Sequence, residues 1–289
     1  MMEQKQKSEI TIKKLKTADE IYNFMAYSAL RHGNYYYTYT SSKNADNILK
    51  DERIWFTWLG KKSTNDAMDI ETYKNKKNCF CSCFSTGTKE NLPLWYLYSG
   101  IDGQGVRLGF PKAWITNLKE INNVELVEVD ENDKRKSIEI LEKGEFEVEI
   151  RDILYIGNEK EGSNSVQLQH KEVTSEINCD LAGQLYKKCE GFIKGLIWSY
   201  EKETRIQISV LKLLDEKKQY RVELPISDIL SKIQLRLGPE TTEEPGNLLR
   251  MEGIKKLEEL KIEQSQYKGQ IRMGLKERIC RECTYNPKI

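Results

Sequence analysis

The stretch from Cys79 to Phe110 limits what this chain can fold into more than any other. Cys79-Phe-Cys-Ser-Cys-Phe-Ser alternates small and large residues, the period of a buried strand, and ends in the polar run Ser85-Thr-Gly-Thr. Pro93 then opens a helical turn carrying Leu94, Trp95 and Tyr98, because proline is well tolerated in a first turn. Asp102-Gly-Gln-Gly105 is turn chemistry, since glycine takes positive φ without strain. Val106 to Phe110 returns as a second strand. Strand, turn and large aromatics this close together predict a core.

The flanking sequence supplies the partners of that core. Thr17-Ala-Asp-Glu20 fits a capping box opening a helix to about Leu30. Tyr35 to Thr40 reads as a strand, Ser41 or Ser42 caps a short helix with Ala45, Ile48 and Leu49, and Ile54 to Trp58 is another strand. The polar segment 60–78, with Asn65-Asp66, is a loop. Residues 121–150 are acidic, ten Asp or Glu against four Lys or Arg, with strands at Val127 and Phe146–Ile150 around a helix over Lys136–Leu141. Arg151 to Ile156 is one further strand, 157–164 a loop, and Glu172 to Ile197 a long polar helix. Ile206, Ile208 and Val210 alternate with polar neighbours, as in a half-buried strand that pairs with Gln219–Leu224. Pro225–Leu230 starts a short helix, Ile233–Leu237 is a strand, and Leu248–Gln264 is an amphipathic helix. The fold class expected is α+β, a mixed, mainly antiparallel sheet with flanking helices. The division expected is an N-terminal helix (1–34), a core domain (35–240), and a C-terminal helix and basic tail (241–289).

Charge excludes some partners. Lys plus Arg (46) nearly cancels Asp plus Glu (45), so no global field recruits nucleic acid or an anionic membrane. The tail from Ser265, six Lys or Arg against two Glu, is the exception: it can contact nucleic-acid phosphate, or be a solvated helix face. Mean hydropathy is −0.66, with no long apolar run and no apolar segment behind the N-terminal charges, so neither a membrane span nor a signal peptide is expected. Seven cysteines without a secretion signal suggest free thiols and a cytoplasmic location. Cys79, Cys81 and Cys83 share one strand face, and Cys280-x-x-Cys283 has a knuckle's spacing. The first group's spacing is wrong for a zinc site, so no metal is expected. His32 and His170 are the only histidines and sit in polar contexts, which argues against a His-based triad.

Four ordered stretches resemble the bacterial domain of unknown function 2971. They are Tyr37-Thr-Tyr-Thr-Ser41 with Asn44–Leu49 and Ile54-Trp55; Asn65-Asp-Ala-Met-Asp69; Cys83-Phe-Ser85 with Leu94-Trp95, Tyr98 and Gly103-Gln-Gly-Val106; and Glu201-Lys-Glu-Thr-Arg205 with the later Gly238-Pro239. Thr38 stands where that family usually has His, Ala67 where it has Pro, and Thr204 where it has Trp. The resemblance covers roughly residues 35–240. By analogy it implies an ADP-ribosyltransferase-like fold, in which an early polar strand, a Ser-containing strand and a Glu-x-Glu strand hold NAD as substrate. It also implies an effector of toxin or phage-defence type, acting on an unidentified macromolecular acceptor or answering to a regulatory partner.

On that reading Glu203 stabilises positive charge developing on the ribose and Glu201 orients or deprotonates the acceptor nucleophile. Two residues apart on a strand, both carboxylates would point to one face. Ser85 braces the site, Thr38 or Tyr39 holds the adenosine end, Trp95 or Tyr98 stacks on a ring, and Arg205 binds phosphate or pairs with Glu203. Glu203→Gln would then abolish turnover and leave the melting temperature nearly unchanged. Each residue also has a plainer reading: a solvated strand face for Glu-x-Glu, a cap for Ser85, core for Trp95 and Tyr98. A catalytically silent interaction module of the same fold, or a nucleic-acid-binding protein or nuclease, are the competing functions.

Overall fold

The computed structural model describes residues 11–59, 78–99, 104–130, 134–159, 162–241 and 262–268. The predicted Asn65-Asp66 loop, most of the predicted 248–264 helix, Cys280, Cys283 and nearly all of the basic tail lie outside these residues. The chain is α+β with mixed, mostly antiparallel sheets.

Local chemistry accounts for the first elements. Helix α1 (Ala18–Ala29) begins at the predicted capping box, Thr17 accepting from Glu20 N while Glu20 accepts from Thr17 N. It buries Ile21 and Met25, one turn apart. Strand β1 (Tyr35–Thr40) leads to α2 (Ser42–Lys50), capped by Ser41, and then to β2 (Arg53–Trp58). The central stretch folds as expected: β3 (Cys79–Ser85), α3 (Leu92–Tyr98) and β4 (Val106–Pro111). Then come α4 (Lys112–Asn117), β5 (Asn123–Val129), β6 (Arg135–Glu142), β7 (Phe146–Asp152), β8 (Leu154–Glu159), β9 (Ser165–His170) and β10 (Val173–Asn178). The described residues close with α5 (Cys179–Lys188), β11 (Ile193–Gly195), β12 (Glu203–Val210), β13 (Tyr220–Pro225), β14 (Gln234–Leu237) and β15 (Ile262–Gln264).

Three expectations are corrected. Lys136–Leu141 is strand β6, where Ile138 and Ile140 sit at period two in an edge position. Glu172–Ile197 is no continuous helix: β10 alternates half-buried and exposed residues, Asn178 caps α5 through Leu181 N, and the chain returns to a strand after the positive-φ Gly191. Finally β12 and β13 are not neighbours. β12 pairs with β3 and β7, and β13 with β2 and β5.

The chain divides into two compact units, Met1–Tyr37 with Arg53–Thr88 and Phe110–Asp228, and Thr38–Glu52 with Lys89–Gly109 and Ile229–Ile289. In the first unit the order is β6-β5-β13-β2-β3-β12-β7, every pair antiparallel, with Tyr37 of β1 set against Ser85 at the end of β3. A second sheet, β10-β9-β8-β11, is antiparallel except for the parallel pair β8–β11. The chain switches sheets at Ile153, whose N–H is donated to Glu203 O while Leu154 N bonds Phe192 O. Between α1, α5 and the second sheet lies a core of Ile21, Met25, Tyr155, Leu168, Leu185 and Phe192.

In the second unit β14 pairs antiparallel with β4 and parallel with β15. Gly105 is required here by space rather than by its dihedral: a Cβ would collide with the carbonyl oxygens of Ser99 and Thr40.

Candidate functional site

Along β12, Glu203, Arg205 and Gln207 point to one sheet face. Facing them across the β3 ladder are Ser85, Cys83 and Cys81. Tyr37 is opposite Ser85, and Ser85 is opposite Glu203. Directly opposed residues share a face, so Tyr37, Ser85 and Glu203 form one row across three adjacent strands. Glu203, Arg205 and Gln207 are all buried, an unusual concentration of polar groups inside a sheet. Gln207 Oε1 has no hydrogen-bond partner among the described residues.

Glu203 is not idle in this row. One carboxylate oxygen accepts from Arg205 Nε at 2.7 Å and the other faces Lys194 Nζ at 2.7 Å. Lys194 also meets Glu201 Oε2 at 2.6 Å, and Arg205 Nη1 donates to Gly191 O at 2.8 Å. Two carboxylates thus face two cations within buried protein. Burial opposes ionisation of Glu203, but the Arg205 guanidinium and the Lys194 ammonium outweigh it and hold the carboxyl below the usual carboxylate range. Burial also opposes the charge on Lys194, and the two glutamates reverse that, raising its pKa. Both side chains therefore stay charged at neutral pH.

The Glu-x-Glu pair does not converge for the reason its spacing suggested. Glu201 ends a 3-10 helix, Leu196–Glu201, and Glu203 begins β12. Between them Lys202 takes a left-handed conformation, φ 48°, which swings the two carboxylates onto one ammonium.

Behind the strand start lies a second buried cluster. Asp152 ends β7 with no exposed surface. His32 Nε2 lies 2.9 and 2.8 Å from its two oxygens, and His170 Nε2 2.9 Å from Oδ2. Thr204 Oγ1 donates to Oδ1 at 2.5 Å, and Lys171 Nζ is 3.0 Å from the same oxygen. Burial works against the Asp152 charge, yet Lys171 and the two imidazoles hold the carboxyl well below its ordinary value. Burial lowers the pKa of Lys171, and the Asp152 charge offsets only part of this.

The other sequence candidates fall elsewhere. Thr38, Tyr39, Trp95 and Tyr98 belong to the second unit. Trp95 is fully buried, packs edge-on against Tyr39 and donates its indole N–H to Glu90 at 3.0 Å, so it is a packing element and not a surface for stacking. Tyr39 is buried and accepts from Asn91 N through its hydroxyl oxygen. Arg205 pairs with Glu203, the second of the roles expected for it. Of the three strand cysteines, Cys79 and Cys81 are buried and Cys83 is exposed. Although Cys83 reaches the surface, a hydrogen bond with Cys81 and the nearby Glu203 charge push its thiol above its ordinary pKa, which disfavours the thiolate.

No protein-family model, curated protein or solved structure matches the chain.

Proposed function

We propose that this chain is an ADP-ribosyltransferase-like enzyme that uses NAD as substrate, either hydrolysing it or moving ADP-ribose to a macromolecular acceptor. The observation that carries the reading is the row Tyr37–Ser85–Glu203 on three adjacent strands. An aromatic hydroxyl, a small hydroxyl and a carboxylate whose charge Arg205 and Lys194 favour thus share one face. A ribose offers hydroxyls to such a row, and a carboxylate beside its C1′ favours positive charge there. When the C1′–nicotinamide bond breaks, the bonding electrons leave with neutral nicotinamide and the sugar carries the positive charge. Glu203 stabilises that charge. Water or an acceptor then bonds to C1′ and loses its proton, for which Glu201 is the nearest second carboxylate. A ribose hydroxyl reaching Glu203 has to compete with Arg205 or Lys194 for an oxygen, so substrate binding includes breaking one of these pairs.

A second reading has its own support. Both Glu203 oxygens are already paired inside the protein, and Thr38 replaces the family's histidine. These features suit a silent interaction module.

The test is nicotinamide release from NAD by the purified chain, with Ser85→Ala as the main variant. Ser85 lies outside the ion-pair cluster, so its removal leaves no buried charge unpaired. The enzyme reading expects measurable release and a fall of about tenfold or more in kcat/KM for Ser85→Ala at an unchanged melting temperature. Wild-type protein that neither releases nicotinamide nor is stabilised by NAD, with cell lysate supplied as acceptor, supports the interaction module.

A further inference from the structure

We propose that Lys171 is a positioning residue for the Glu-x-Glu pair, and that Asp152, His32 and His170 serve to hold its ammonium in place. Among the described residues only three non-glycine residues have positive φ, and two of them, Lys171 at 52° and Lys202 at 48°, meet at this point. Such conformations persist where the surroundings over-determine them. Here those surroundings can be named. Lys171 Nζ lies 2.7 Å from Lys202 O, 3.1 Å from Glu203 O, 3.1 Å from Thr86 Oγ1, 3.3 Å from Thr204 Oγ1 and 3.0 Å from Asp152 Oδ1. Three ammonium protons are shared among five oxygens, much as a bound cation is shared among its ligands. Two of those oxygens are the carbonyl of Lys202, within the peptide that joins it to Glu203, and the carbonyl of Glu203 in the next peptide, so the ammonium fixes the left-handed turn.

The rest of the cluster fixes the ammonium. Asp152 supplies the counter-charge. It is oriented in turn by both of the chain's histidines, each donating Nε2–H, and by Thr204. The amide ahead of the turn's far side is tied as well: Glu203 N is donated to the buried Tyr155 hydroxyl at 2.9 Å, and Ile153 N to Glu203 O at 3.0 Å. With this peptide fixed, Glu201 and Glu203 converge on Lys194 although they lie on different elements. Lys171 touches neither carboxylate side chain. It acts through the backbone.

The part of this inference that concerns turnover rests on the NAD reading; the part that concerns the turn does not, and the experiment separates them. Hydrogen exchange of the amides of residues 202–204 reports the turn directly, with β13 as an internal control. Lys171→Met is expected to speed exchange there by tenfold or more, with β13 little changed. Because that variant also strands the Asp152 charge and can fail to fold, Lys202→Gly and Lys202→Val are measured beside it. Lys202 is part-exposed, glycine adopts positive φ freely, and a β-branched residue resists it. Lys202→Gly should retain slow exchange and wild-type turnover. Lys202→Val should speed exchange and lower kcat more than it raises KM. Val and Gly variants that exchange and turn over alike would overturn the proposal. If wild-type protein releases no nicotinamide but the exchange pattern holds, the NAD reading fails and the positioning role stands.

Discussion

A carboxylate without exposed surface needs its charge answered close by, and Asp152 is answered by one ammonium, two imidazoles and a hydroxyl. Its depressed pKa sets a sign. Above about pH 4, where an unfolded Asp side chain is also ionised, the stabilisation is fully present; it is lost as pH falls from there toward the native value, because the unfolded chain takes up the proton first. Glu203, also depressed, adds in the same direction. Urea unfolding measured from pH 6 to pH 3 should therefore show stability falling below about pH 4. Asp152→Asn should flatten that fall and cost roughly 3–5 kcal/mol at pH 6, since it leaves Lys171 buried without its counter-charge. Equal stability of variant and wild type at pH 6 would mean the cluster contributes nothing. Glu203→Gln meets the same cost. The sequence suggested an unchanged melting temperature, but Lys194 and Arg205 would each lose a partner, so a loss of roughly 3–5 kcal/mol is expected.

At the scale of elements, β15 shows how a single buried side chain can hold a strand. Glu90 accepts from Trp95 Nε1, from Arg236 at 2.8 Å, from Gln266 N at 2.9 Å and from Ser265 Oγ, and its carbonyl accepts from Tyr267. Only three residues of β15 pair with β14, too short a ladder to hold alone. Glu90→Ala should therefore release residues 262–268, seen as rapid hydrogen exchange there while β4 stays protected; persistent protection would place the anchorage elsewhere. None of this was legible beforehand, since Leu248–Gln264 has helical periodicity, and what sets β15 is its pairing with β14 and the carboxylate beside it. By contrast α1, α2, β1 to β4 and α3 were legible, because caps, prolines and alternation act within a few residues. The misread elements, β6 and β10, carry only a weak alternation in polar sequence, with no cap or proline to mark them. Their identity comes from pairing with β5 and β9.

For the whole molecule, a near-zero net charge and described helices too short and polar to cross a membrane leave the internal arrangement of charge as the informative feature. Part of the candidate site was visible in sequence. Ser85, Glu201, Glu203 and Arg205 were named from short motifs, and they do come together in the first unit. Lys194 was hidden within what looked like a helix. The histidines were set aside for their polar neighbours, yet they meet at one aspartate because the chain changes sheets between β7 and β8. Such convergence arises from topology, which spacing does not encode. The most direct measurement is nicotinamide release from NAD by wild-type protein and Ser85→Ala, assayed side by side with their melting temperatures. Release that drops with Ser85→Ala at constant stability is the predicted result. Release unaffected by the substitution, or none at all from folded protein that NAD does not stabilise, would contradict the NAD-using site.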